Sequence, residues 1–118
     1  MTDIPGDAAD EMRELQEQFA RRLPERVAEI EEAWQAALGA GWEAGRLRQL
    51  FRLAHSLRGA AATFGFADAA AIASRLESLL QEVTASGGPP DEEIARRIAG
   101  LVDELRSQAP SQDGRGNR

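Results

Sequence analysis

The chain has 118 residues, a formal net charge of −6, one histidine and no cysteine. Without cysteine there is no thiol or disulfide chemistry, a single histidine argues against a zinc or other metal site, and the acidic balance repels a nucleic-acid backbone. No cofactor motif is visible, and with no leader and no long apolar run neither secretion nor a membrane span is expected, so the cytoplasm is the default.

One domain of this length buries roughly two-thirds of its unfolded surface, enough for an ordinary core. The composition is rich in alanine and leucine, with few β-branched or aromatic residues, and favours an all-helical class. All fourteen basic residues are arginine, which reads as compositional bias.

Residues 1–7 contain proline and glycine without periodicity and read as a disordered arm ahead of a domain over residues 8–109. From Ala8, apolar residues recur at steps of three or four: Met12, Leu15, Phe19, Leu23, Val27, Ile30, Trp34 and Leu38. This pattern predicts a long amphipathic first helix, kinked or split near Pro24, with the continuous phase of the stripe favouring a bend over a loop. Gly39, Gly41 and Gly45 mark the following turn, with Gly39 suited to a left-handed cap and Trp42 placed to pack over it.

A second helix is predicted from about Glu43 to Gly65. At 100° per residue, Leu50, Leu53, Leu57, Ala61 and Phe64 share one side and His55 points away from them. On the histidine's own face stand Phe51, Arg52, Arg58, Gly59 and Ala62. Glycine at an exposed helical position costs roughly 1 kcal/mol relative to alanine. Its benefit is steric, because a partner surface can approach the imidazole closely. Arg58 adds a fixed positive charge suited to a phosphoryl group.

A third helix begins near Phe66, with Asp68 in its first turn and a stripe of Ala69, Ile72, Ala73, Leu76, Leu79, Leu80 and Val83. Glu77 flanks that stripe, placed to reach an adjacent helix. Ser86-Gly87-Gly88-Pro89-Pro90 breaks the chain, and Asp91-Glu92-Glu93 opens a fourth helix that buries Ile94, Ile98, Leu101 and Leu105. Residues 110–118 read as a disordered tail or linker. Four such helices with short connections predict an antiparallel up-and-down four-helix bundle. In it, Ala60, Ala61, Ala69 and Ala73 would let the second and third helices approach closely.

His55-Ser56-Leu57-Arg58-Gly59, with Gly65 and Leu76-Glu77, resembles the signature of histidine-containing phosphotransfer domains over roughly residues 19–105. Thr63-Phe64-Gly65-Phe66 is similar to the first domain of chemotaxis histidine kinases, although Ser74 stands where that branch often has a second histidine. The resemblance implies that His55 carries a phosphoryl group on Nε2, exchanged with an aspartate of a receiver domain of a bacterial two-component system. It implies that Arg58 stands where lysine is most common and offsets phosphoryl charge, that Gly59 gives access, and that Glu77, matching a glutamate of the chemotaxis branch, hydrogen-bonds the other ring nitrogen. The receiver would supply the magnesium ion and most catalytic groups.

Glu43 to Phe64 holds Arg46, Arg48, Arg52 and Arg58 against one glutamate, so the histidine helix is locally basic in an acidic protein. Such a helix can steer an acidic receiver, with Phe51, Arg48, Arg52, Ser56, Ala62 and Thr63 as docking positions. The expected function is that of a monomeric phosphocarrier in a phosphorelay, without kinase machinery of its own. Partners would be a receiver domain and a histidine kinase or hybrid kinase. Alternatives are the first domain of a chemotaxis-type kinase, charged by a kinase domain, or an adaptor that binds receivers without phosphorylation. A general-base enzyme is disfavoured, because no nucleophile, oxyanion site or concave pocket accompanies His55.

Overall fold

The structure, a computed structural model, describes the backbone of residues 4–109 and side chains from residue 8 onward. Four helices follow in order: α1 (Ile4–Gly39), α2 (Ala44–Thr63), α3 (Ala67–Ser86) and α4 (Glu92–Gln108). Contacts run α1 to α2, α2 to α3, α3 to α4 and α4 back to α1, with no diagonal pair among the described residues. That cycle, closed by short turns, is the expected up-and-down bundle.

The helix begins at Ile4, four residues before the expected start at Ala8, so the described part of the predicted arm is helical. Residues 1–3 and the predicted tail over 110–118 lie outside the described residues. Pro24 sits inside an unbroken α1, which is therefore not split. Leu23 and Val27 on either side of it are buried, and their packing across the proline holds the helix together despite one lost backbone donor.

The expected stripe of α1 is buried from Phe19 to Trp34, whereas Met12, Leu15 and Leu38 are exposed. Length explains this. At about 1.5 Å per residue α1 spans about 54 Å, against about 30 Å for α2 or α3, so its ends outrun its partners. The molecule measures 59 × 36 × 20 Å along its principal axes.

The α1–α2 turn places its left-handed residue at Gly41 (φ 65°), not at Gly39, which remains helical. Trp42 follows, also left-handed at φ 67°. Its N–H donates to the Ala37 carbonyl at 2.9 Å, and its ring centroid lies 5.3 Å from that of Trp34. These two contacts hold a bulky residue in a backbone region it ordinarily avoids.

In α2 the fully buried residues are Leu47, Leu50, Ala54, Leu57 and Ala61. Leu53 and Phe64, expected in the core, are half-buried at the edge facing α1. The α2–α3 interface is the most extensive in the molecule, and Ala61, Ala69 and Ala73 are buried as expected. Ala60 instead lines a groove toward α1. Asp91 caps α4 by accepting from the Ile94 N–H at 2.9 Å, satisfying one of the first-turn donors. Among the described residues, no helix is long and apolar enough to cross a membrane.

Candidate phosphotransfer site

His55 lies mid-way along α2, on the face opposite the buried leucines, with its side chain 57% exposed. The hydrophobic pattern of α2 dictates this, because sinking Leu50, Leu57 and Ala61 turns the imidazole outward. Glu77 comes from α3 and, among the described residues, is the one buried charged residue, 8% exposed. Its Oε2 lies 2.9 Å from His55 Nδ1. With the ring proton on Nδ1, the imidazole donates to the carboxylate and Nε2 carries a free lone pair.

The other carboxylate oxygen, Oε1, lies 2.9 Å from Arg58 Nε. This is an ion pair without hydrogen-bond alignment, as neither atom has a hydrogen-bond partner. Glu77 is therefore shared between the histidine and an arginine one turn further along the same helix. A buried carboxylate needs such compensation. The guanidinium of Arg58, expected to offset phosphoryl charge, engages Glu77 in this structure.

Gly59 is exposed, and a Cβ built there meets nothing within 4 Å. Internal packing does not require glycine at this position. The Thr63 hydroxyl donates to the Gly59 carbonyl at 2.9 Å, so Thr63, expected as a docking residue, also braces the helix beside the glycine. Phe51 is half-buried, its ring nearly parallel to the imidazole at 12° and 6.0 Å between centroids. It flanks the histidine as part of the site wall.

Arg48, Arg52, Ser56 and Ala62 are exposed, together with Gly59 and Thr63. Arg46 pairs with Glu43 at 3.9 Å, whereas Arg48 and Arg52 make no ion pair among the described residues. The positive charge of the face is thus carried by arginines that neighbouring carboxylates do not neutralise. Ser74, in place of a second histidine, lines a groove between α3 and α4.

One contributor escaped the sequence reading. Arg26 of α1 donates from Nη1 to Ser56 Oγ at 3.5 Å, next to His55 in sequence. Its signal was weak, since it stands one step outside the apolar stripe among many surface arginines.

The family model of the Hpt domain matches residues 14–108. The chain belongs to the Hpt domain family. No curated protein and no solved structure matches it. Hpt domains are phosphocarriers that exchange phosphate with kinases and receiver domains in phosphorelays and have no kinase activity of their own. In this Hpt domain the match spans all of α2, α3 and α4, but leaves out the first ten residues of α1.

Proposed function

We propose that His55 is the phosphoacceptor of this Hpt domain and exchanges its phosphoryl group with a receiver-domain aspartate. The observation that carries this reading is the 2.9 Å contact between Glu77 and Nδ1 of an outward-facing imidazole. Nε2 attacks the phosphorus of the receiver's acyl phosphate, the P–O bond to the aspartate breaks, and the carboxylate leaves with the electron pair. No proton has to move, because Nε2 is unprotonated at the start. The ring becomes cationic, and the Glu77 carboxylate, accepting from Nδ1–H, is placed where that charge develops. The reverse reaction retraces these steps.

In this reading Gly59 leaves space for the receiver and Arg58 holds Glu77 while lending positive charge to the site. Arg48, Arg52, Ser56, Ala62 and Thr63 form the contact face around a wall made by Phe51. The domain acts as a monomeric carrier in the cytoplasm. The donor is a kinase or hybrid kinase, or, in the chemotaxis-like alternative that the Glu77 geometry favours, a kinase catalytic domain.

The test is phosphate uptake by the chain and by its His55→Gln variant, from charged receiver domains and from kinase catalytic domains with ATP. Acid-labile, base-stable label on the parent alone is expected. Equal label on the variant would place the acceptor elsewhere. Receiver binding without uptake from any donor would favour the adaptor reading.

A further inference from the structure

The outer face of α4 is centred on a glycine. Gly100 is exposed while Ile98, Leu101, Val102 and Leu105 around it are buried, and a Cβ built on it meets nothing within 4 Å. Glycine in the middle of an exposed helix lowers stability, and packing inside the bundle does not call for it here. Beside it, between α3 and α4, runs a groove of about 500 Å³ lined by Leu79 and Leu101 together with Ser74, Ser78, Arg97 and Glu104.

The charges on this face stand in mirror order. Arg97 and Arg96 lie three and four positions before Gly100, and Asp103 and Glu104 lie three and four positions after it. Further out, Glu93 is matched by Ser107 and Glu92 by Gln108, so no two like charges stand at equal distances from the glycine. At about 100° per residue, Arg97 and Glu104 fall on the α3 side, where both line the groove, and Arg96 and Asp103 fall on the α1 side. Arg97 pairs with Glu93 at 3.0 Å and Asp103 pairs with Arg106. Arg96 and Glu104 make no ion pair among the described residues.

An antiparallel copy of the same helix laid across Gly100 reverses this order. Each basic half then lies along the acidic half of the other copy, with Glu104 beside Arg97 over the groove and Asp103 beside Arg96 on the far side. The missing side chain at the crossing lets the two backbones approach closely. A parallel copy would set arginines against arginines and carboxylates against carboxylates, which like-charge repulsion disfavours. The face is therefore complementary to itself in one orientation, the condition for a two-fold contact.

We propose that the outer face of α4 is a self-association surface on which a second copy of this chain docks antiparallel, crossing at Gly100. Helices α2 and α4 are diagonal in the bundle and share no contact among the described residues, so the pair turns both His55 faces outward. Each copy stays a complete carrier, and two carriers side by side can engage two partners at once. Exposed ion pairs are individually weak, so the dissociation constant is on the order of 0.1 mM. Below that concentration the chain is the monomeric carrier described above.

The test is sedimentation equilibrium of the full chain from about 10 µM to about 1 mM, in low and high salt, after circular dichroism shows equal helicity. The parent is expected to show a monomer to dimer equilibrium that weakens with salt. The double variants Arg96→Glu, Arg97→Glu and Asp103→Arg, Glu104→Arg should each raise the dissociation constant at least about tenfold. All four positions are exposed, so neither change removes buried packing. Mixed in equal amounts, the two variants should pair at least as tightly as the parent, because one face is then wholly acidic and the other wholly basic. Gly100→Gln favours the helix but fills the crossing point, and should weaken pairing while the fold is kept. A parent that is monomeric at about 1 mM, or parental pairing in any of these variants, would overturn the proposal. So would a mixture of the two charge-reversed variants that fails to pair. Phosphate uptake by His55 is expected to be parental in both double variants, and its loss would overturn the separation of this face from the phosphotransfer site.

Discussion

Glu77 reaches His55 from the neighbouring helix, with 2.9 Å between Oε2 and Nδ1, although the two stand 22 positions apart in the chain. The bond joins a nearly buried carboxylate to an exposed ring. The acceptor is fixed by the protein interior, and only the ring faces the solvent.

Replacing Glu77 by glutamine keeps the shape but removes the charge that faces the developing imidazolium. Initial rates of phosphate uptake by Glu77→Gln are expected to fall on the order of tenfold or more, as for other residues that orient a functional histidine. Parental rates with an unaltered circular dichroism spectrum would remove Glu77 from the mechanism.

Gly59 separates stability from access. Because nothing lies within 4 Å of a Cβ at this position, Gly59→Ala should raise stability by about 0.5–1 kcal/mol in denaturant unfolding. Gly59→Glu or Gly59→Lys should fold equally well yet transfer phosphate much more slowly, since a long side chain would stand one turn from the ring. Equal transfer by all three variants would show that access does not depend on glycine.

Arg58 is half-exposed, so its ion pair with Glu77 is weakened by solvent. Loss of the guanidinium in Arg58→Met should cost at most about 1 kcal/mol in chemical denaturation. The larger effect is expected in phosphate uptake, with partial recovery in Arg58→Lys, because lysine restores the charge but not the planar fork. A variant that loses stability and leaves the rate unchanged would restrict Arg58 to a structural role.

Asp91 provides a contrast remote from the site. Asp91→Ala deletes the bond to the Ile94 N–H and should lower stability by about 1 kcal/mol while leaving transfer rates unchanged. A transfer defect in this variant would mean that α4 contributes to the chemistry.

Much of this arrangement was legible in the residues. The periodicity of Leu50, Leu57 and Ala61 turned His55 outward, the Gly-Gly-Pro-Pro break separated α3 from α4, and the buried alanines anticipated close packing of α2 on α3. Three features were not legible. Pairing between Glu77 and His55, expected from the family resemblance, could not be read from the stripes themselves, because it depends on the rotation of two helices about their axes, which a stripe specifies only to within a side chain or two. The exposure of Met12, Leu15 and Leu38 depends on the relative lengths of partners, and a one-helix pattern is silent on where its neighbours end. The contact of Arg26 with Ser56 joins two surface positions on different helices, neither marked by hydrophobicity.

The overhang of α1 also has a consequence for hydrogen exchange. Residues 8–15 are all exposed, and Gln16, whose side-chain amide donates to the Phe64 carbonyl at 2.9 Å, is the first hydrogen-bonded tie to another helix among the described residues. A helical segment of this length is marginal by itself in water. Its amides should exchange with solvent long before those of Phe19 to Trp34, so the cooperative unit of unfolding begins near Gln16.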